Sequence, residues 1–421
     1  MRIDILAFGS RGDVQPCLAL ALRLQSVGHR VRLVTLDGFE DFVRRYGLDH
    51  VSIANSRQEI VSTAAGQDWL RQRDSVVGFL RGFVRVASDL VEDGMARYWR
   101  VCQDAEAIIA SATGLLLAVH IAEKMRVPLI RAQSAPSVPS RYDWCGRTSR
   151  SIAARGAWEA LAGAGVRSFV WQGLRSRTNR ARRNLLDLPP LPMQEPFAEL
   201  NRRRIPLLDG YSTAVVTRPP DWGKWIHVTG YWFLDDHPGW SPPAEVVDFL
   251  HSGPQPVFVG FGSTPFPRPE VATDLVVRAL TRAGRRGIVV AGESGLATGR
   301  LTDDILSIDA APHGWLFARV CAAVHHGGAG VTGAALRAGL PSVVVPVFAD
   351  QPFWSKRVFE LGAGARPIPA KRLSMEGLAN AIGCVVNDGE IRHRASQIGR
   401  QIRAEDGLAR AVDAFHEYVV G

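Results

Sequence analysis

The sequence predicts an α/β protein of two similar halves, each a largely parallel sheet flanked by helices. Three observations carry this. Near the N-terminus, Arg2 to Phe8 reads as a strand, Val14 to Val27 as a helix, and Arg30 to Leu36 as a second strand after Gly28-His29. Strand, helix and strand in succession make a βαβ unit, whose strands run parallel. The same alternation starts afresh after Pro256, and 421 residues with 46% apolar content suffice to bury two or three cores.

The elements follow in order. In the first helix Leu18, Ala21, Leu22 and Gln25 fall on successive turns. Strands at Ala107 to Ser111 and Pro128 to Ala132 flank a helical run from Leu115 to Lys124. Further on, Trp171, Leu174, Thr178, Ala181 and Leu185 sit at helical spacing, with Arg175, Arg177, Arg180, Arg182 and Arg183 on the other faces until Pro189 ends the run. A Pro- and Trp-rich passage, Arg218 to Pro243, breaks the alternation and reads as an interdomain connection. The second half brings strands at Pro256 to Phe261, ending in Gly262-Ser263-Thr264, then Gly287 to Ala291, Ile305 to Ile308, Cys321 to His325 and Ser342 to Val347. A last helix spans Gly407 to Val420. The expected division is an N-terminal domain at 1–218, a linker at 219–243, a C-terminal domain at 244–398 and a terminal segment at 399–421.

Composition excludes several classes. No run approaches the ~18 apolar residues of a membrane span, and Ile3 to Phe8 is too short for a signal core, so a cytoplasmic location is expected. Cys17, Cys102, Cys145, Cys321 and Cys384 are scattered and odd in number, against a disulfide framework or a structural zinc site. The net charge of +9 is local: between Arg141 and Arg204 stand thirteen arginines against five acids. The basic amphipathic helix at 171–185 within this stretch has two readings, the solvated face of a packed domain or a contact with an anionic membrane surface. Nucleic acid is not expected as a partner, since no exposed aromatics interleave with the arginines.

The most informative segment is His325-His326-Gly327-Gly328-Ala329-Gly330-Val331-Thr332, between a strand and the helical run Gly333 to Ala338. Small residues in a first helical turn let unpaired amides approach an anion, and the helix dipole favours its charge. This reads as a diphosphate seat. One strand later Asp350 and Gln351 reach the C-terminal edge of the sheet, where α/β proteins bind ligands.

These runs carry a family resemblance. Ala311-Pro312-His313-Gly314-Trp315-Leu316-Phe317, the His-His-Gly-Gly-Ala-Gly segment, Leu336 to Pro341 and Phe348 to Trp354 together resemble the donor signature of nucleotide-sugar glycosyltransferases. Gly9-Ser10-Arg11-Gly12-Asp13-Val14-Gln15-Pro16 and Val228 to Trp232 extend the agreement to most of the chain. The branch most similar is that of bacterial and fungal sterol glucosyltransferases and antibiotic-aglycone glycosyltransferases of the GT-B fold. The resemblance implies two facing Rossmann-like domains with parallel sheets and a cleft between them, acceptor bound by the first and UDP- or TDP-hexose by the second. It also implies that the last helix crosses back to the first domain.

The roles follow from that resemblance. Asp13, which as an Asp before a helix also fits an N-cap, is the implied general base for inverting transfer to a hydroxyl of a lipophilic acceptor. Ser10, Arg11 and Gly12 share its loop. Charge leaving on the diphosphate is met by the His325 side chain, Gly327 and Gly328, the amides of Ala329, Gly330, Val331 and Thr332, the Thr332 hydroxyl and Ser263. Asp350 and Gln351 hold sugar hydroxyls, and the His313 backbone and Trp315 are nearest to the base. Plant relatives carry a stacking Trp at Ala310 and a ribose-binding Glu at Gly333, and many relatives have Thr at Val331. No third ligand lies at metal spacing from His325 and His326, so a metal-independent reaction without a resident cofactor is expected. Trp69, Phe79, Phe83, Trp144 and Trp158 either line an acceptor pocket or fill the core. A dehydrogenase lacks its Gly-x-Gly-x-x-Gly fingerprint here. The alternatives on the same scaffold are a sugar-nucleotide epimerase and a non-catalytic accessory protein.

Overall fold

The computed structural model describes residues 1–55, 59, 63, 66, 69, 76–143, 150–194, 196–235, 239–263, 266 and 268–419, with only the backbone of 76, 89, 90, 150–160 and 162. They form two compact units, Met1–Leu234 with Asp406–Gly421, and Asp235–Glu405. Thr264, Trp144 and the side chain of Trp158 lie outside the described residues.

The first unit runs β1 (Arg2–Leu6), α1 (Arg11–Ser26), β2 (Arg30–Leu36), α2 (Glu40–Arg44), β3 (Asp49–Ala54), α3 (Val76–Asp89), a π-helical turn Leu90–Gly94, α4 (Met95–Val101), β4 (Ala107–Ala110), α5 (Leu115–Met125), β5 (Leu129–Gln133), α6 (Arg150–Leu186), α7 (Phe197–Arg202), β6 (Leu207–Asp209) and β7 (Ile226–Val228). Its seven strands lie in the order β3-β2-β1-β4-β5-β6-β7, all parallel. A parallel sheet is covered on both faces, and β1 shows it: Ile3 and Ile5 pack with Val14 and Leu18 on one side, Leu6 with Ile108 and Leu117 on the other. The buried Asp4 between them is neutralised by Arg32, at 2.7 and 3.1 Å, and by the Tyr98 hydroxyl at 3.0 Å.

The second unit runs α8 (Ala244–His251), β8 (Val257–Gly260), α9 (Pro269–Arg282), β9 (Gly287–Val290), β10 (Gly299–Thr302), β11 (Ile305–Ile308), α10 (His313–Phe317), β12 (Ala322–His325), α11 (Ala329–Ala338), β13 (Ser342–Val344), α12 (Gln351–Glu360), α13 (Met375–Asn387) and α14 (Gly389–Arg403). The strand order is β10-β11-β9-β8-β12-β13, parallel except for the antiparallel edge strand β10. α15 (Gly407–Val419) then returns to the first unit, where Ala411, Val412 and Phe415 join the core beside α1 and His416 Nε2 meets His29 Nε2 at 2.8 Å. No helix among the described residues is long and apolar enough to cross a membrane.

The passage expected as a linker is in part folded structure. β7 lies inside it, Trp222 and Ile226 build a small core with Leu207, and Trp232 is 5% exposed in the main core, so the first unit extends to Leu234. Three-residue strands such as β6 and β7 are too short for alternation to reveal them. At the other end the division falls after Glu405 and not at 399, because Ile398 and Ile402 of α14 are buried in the second unit. The arginines of 171–185 do not all face solvent: Arg182 is 1% exposed, with Nη1 on Glu123 at 2.8 Å and on His120 Nδ1 at 3.1 Å, and Nε donating to the Pro189 carbonyl. Trp69 packs on Phe79 and Phe83, at ring distances of 5.5 and 6.3 Å.

Two helical glycines should respond oppositely to alanine. A Cβ at Gly399 would lie 2.9 Å from the Gly339 backbone and the Leu336 carbonyl, whereas one at Gly383 meets nothing within 4 Å. Gly399→Ala is expected to destabilise by roughly 1–3 kcal/mol and Gly383→Ala to stabilise by about 0.5–1 kcal/mol, as read by urea denaturation.

Candidate functional site

In each unit the order of the parallel strands reverses once, at the position where open α/β sheets bind ligands, and the central candidate residues follow the strands on either side of it. In the second unit the reversal lies between β8 and β12, paired so that Gly260 is beside His325. The chain leaves β12 through Gly327, whose φ of +88° and 2.7 Å approach to Val344 Cγ1 admit only glycine. α11 therefore begins at once, at Ala329, four residues before the helical run read from sequence. Its first intrahelical bond is Thr332 N–H to the Gly328 carbonyl at 3.0 Å. This corrects one expected donor: the Thr332 amide is spent within the helix, leaving the amides of Ala329, Gly330 and Val331 outside the ladder, while the buried Thr332 hydroxyl has no partner among the described residues. Gly330 is exposed, and nothing stands within 4 Å of where its Cβ would be.

His325 supplies a fourth donor. Its ring is fully buried and Nδ1 accepts the Gly327 N–H at 3.1 Å, which fixes the proton of the neutral ring on Nε2. Burial, and then His326 and His313, push its pKa down to about 3, so the ring is neutral at pH 7. Nε2–H has no partner among the described residues, a condition that costs about 1–3 kcal/mol and that an accepting oxygen would relieve. His326 is held at the Gly260 backbone with its pKa pushed down to about 4, chiefly by burial, and its ring sits under Gly262 and beside Gly328, 2.8 and 2.7 Å from their would-be Cβ atoms. It shapes both loops. Ser263 follows Gly262 and is half-buried.

The other donor-side residues carry structural duties the sequence did not show. His313 stacks on Phe317 at 4.7 Å, and one face of Trp315 is covered by the Arg319 guanidinium at 4.5 Å. Asp350 Oδ2 accepts the Trp354 indole N–H at 2.9 Å. Gln351 is 5% exposed, and its Oε1 accepts the amides of Val347 and Phe348 at 2.8 and 3.2 Å. This clamp closes a loop in which Ala349 holds φ +55°, a costly conformation for a residue with a Cβ.

In the first unit the reversal lies between β1 and β4. Asp13 is neither in a loop nor an N-cap, because α1 starts at Arg11 and makes Asp13 its third residue. Ser10 is the N-cap, and its N–H and Oγ–H both donate to Asp13 Oδ2, at 2.7 and 2.9 Å. Arg11 turns along the helix, with Nε on Gln15 at 3.0 Å and its guanidinium 4.8 Å over the Phe42 ring. Asp13 and Gly12 line a pocket of ≈ 70 Å³ shared with Ser111, Thr113, Gln133 and Trp232. The sequence reading passed over Ser111, Thr113 and Gln133, although they stand at the ends of strands it recognised. Cys17, also lining the pocket, is made inert by burial and Asp13, which push its thiol up to about 12. Among the described residues no cluster of His, Cys, Asp or Glu is placed to hold a metal ion.

Two parallel-sheet α/β units, each with one reversal in the order of its parallel strands, define the class by fold: a protein of the GT-B fold. Residues 3–142 match the glycosyltransferase family 28 N-terminal domain, and residues 280–413 the erythromycin biosynthesis protein CIII-like C-terminal domain. Over 99% of its length the chain is 33% identical to a sterol 3-beta-glucosyltransferase of Aspergillus fumigatus, spanning 30% of that protein. It is 34% identical over its whole length to a sterol 3-beta-glucosyltransferase of Arabidopsis thaliana, spanning 66% of it. The calicheamicin glycosyltransferase CalG4 superposes with a TM-score of 0.68 at 18% identity, over 100% of this chain and 98% of its own. A spinosyn rhamnosyltransferase complexed with thymidine diphosphate does so at 0.66 and 15%, over 99% and 100%. The chain belongs to the family 1 glycosyltransferases.

Burial of neutral imidazoles makes the fold acid-sensitive. Six histidines, His29, His50, His120, His227, His325 and His326, have pKa values lowered chiefly by burial, His120 to about 3. The unfolded chain therefore binds more protons below pH 6.5, and stability present above that pH is lost as pH falls. Asp4 and Asp209, raised by burial, act in the opposite sense but are fewer. The unfolding temperature is expected to fall steadily from pH 6.5 to 4 in a calorimetric series.

Proposed function

We propose that the chain is an inverting, metal-independent hexosyltransferase moving glucose from a UDP- or TDP-sugar to a hydroxyl of a lipophilic, sterol-like acceptor. The observation that carries this reading is the set of four donors at the β12–α11 turn: three helix-terminal amides and the neutral His325 Nε2–H. A diphosphate gains charge as the C1–O bond to it breaks, and pre-oriented donors stabilise that charge without reorganising. Asp350 and Gln351, on the next loop, are assigned the sugar hydroxyls; His313 and Trp315 are assigned the base.

Asp13 takes the acceptor proton as the hydroxyl oxygen bonds to C1 from the side opposite the leaving group, which inverts that centre. Its Ser10 bonds fix the carboxylate at the pocket mouth. A pocket of ≈ 70 Å³ is far below the ~300–1,000 Å³ of a whole-ligand site and so receives only the hydroxyl-bearing edge of the acceptor. Sterol-like acceptors are favoured because the 33–34% identical relatives are sterol 3-beta-glucosyltransferases, whereas the antibiotic enzymes at 15–18% share the fold alone.

The test pairs UDP- and TDP-glucose with a panel of sterols and polycyclic aglycones, reading gain of one hexose by mass spectrometry and the anomeric centre by NMR. Donor epimerisation, or no turnover at all, would favour the alternatives on this scaffold. Asp13→Asn retains an oxygen for the Ser10 amide and is expected to lower transfer by ~10²- to 10⁴-fold with donor affinity unchanged; turnover within threefold of the parent would reduce Asp13 to a capping residue. Excess chelator is expected to leave the rate intact, while His325→Ala weakens nucleotide binding in calorimetry and slows transfer together. Activity lost to EDTA and restored by magnesium would overturn the metal-free reading.

A further inference from the structure

Ten large apolar side chains stand exposed among the described residues, and five of them, Val77, Leu161, Val166, Phe169 and Met193, gather on one surface of the first unit at 40–67% exposure. Two helices and a loop bring them together. A Cβ at Gly173 of α6 would lie 2.3 Å from Val84 Cγ1 of α3, and Glu92, just past α3, meets Arg177 and Arg180 at 3.5 and 3.4 Å. The helices thus run side by side in the same direction, with Val77 level with Val166. The loop after α6 folds back along it: Trp171 Nε1 and Gln172 Nε2 donate to the carbonyls of Pro192 and Met193, at 3.1 and 2.7 Å.

Charge continues the same face. Leu161, Phe169, Gln172, Ser176, Arg180 and Arg183 recur at intervals suited to one side of a helix, all exposed, so the face is apolar in its first half and basic in its second. Arg81 and Arg85 stand exposed on α3. Glu159 is the one acid of α6, and the neighbouring Glu92 is already bridged. Buried Arg182, bound to Glu123 and the Pro189 carbonyl, keeps the helix from rolling. Apolar side chains beside arginines, almost without acids, complement a surface that is uniformly negative outside and apolar beneath.

We propose that this α3–α6 face docks on an anionic lipid bilayer, with Val77, Leu161, Val166 and Phe169 entering the acyl boundary and the arginines meeting headgroup phosphates. Purified full-length chain is expected to sediment with phosphatidylcholine vesicles containing about 30 mol% phosphatidylglycerol roughly tenfold more strongly than with phosphatidylcholine alone, and to be released in part by about 0.5 M NaCl. Val166→Glu with Phe169→Glu, and separately Arg180→Glu with Arg183→Glu, should each weaken binding by roughly tenfold or more while thermal unfolding stays at the parent temperature. Equal binding to neutral vesicles, or variants that bind like the parent, would overturn the proposal. So would a self-association that Phe169→Glu abolishes in ultracentrifugation, which would make the face an interface between copies, or binding to duplex DNA as tight as to vesicles. Transfer to a water-soluble acceptor is read alongside. A loss there matching the loss of vesicle binding would assign Phe169 to the acceptor site instead. Vesicle binding is measured without turnover, so it can fail while the proposed transfer stands, and the reverse.

Discussion

The second unit depends on how abruptly the chain turns from β12 into α11. Gly327 makes that turn possible, since any Cβ would strike Val344, and the turn leaves no room for a capping side chain. Three amides at the head of the helix therefore point out of the ladder at the end of the sheet. The same turn directs the Gly327 N–H at His325 Nδ1, so one glycine sets both the helix start and the tautomer of the buried imidazole. Its neighbours keep the geometry: His326 wedges beneath Gly262, and Gln351 ties down the next loop.

Burial is the second determinant. An imidazolium in the place of His325 would be desolvated on all sides, which is chiefly why the ring stays neutral. A neutral Nε2–H still donates a hydrogen bond, and it holds its orientation without exchanging protons near neutrality. The same burial ties stability to pH through several histidines, so the residues that organise the proposed anion seat also limit the acid tolerance of the fold.

In the first unit one carboxylate serves two ends. Asp13 completes the cap of α1 through Ser10 and faces the small pocket at the reversal of strand order. Fixing the side chain costs little extra ordering, because the cap already requires it. The arginines of α6 divide in a comparable way. Arg182 goes inward to Glu123 and anchors the helix, while Arg180 and Arg183 remain exposed.

The sequence by itself determined the class of fold and most of its order. Apolar runs of four to seven residues alternating with helical periodicity predict parallel strands with crossovers, and the glycine-rich turn before α11 reads directly as an anion seat, because these are local properties of the chain. Only the tertiary structure decided what rests on contacts distant in sequence. β6 and β7 carry too few residues to show a pattern and are strands only because β5 lies beside β6 and β6 beside β7. Thr332 lost its amide to the register of a helix that starts four residues earlier than its apolar run suggests. Ser111 and Gln133 became pocket residues because β1, β4 and β5 end together. Arg182 left the basic face because Glu123, 59 residues away along the chain, accepts its guanidinium while the arginine side chain is buried. Local periodicity sets which elements form, and the pairing of distant segments sets which side chains keep a free hydrogen-bonding group.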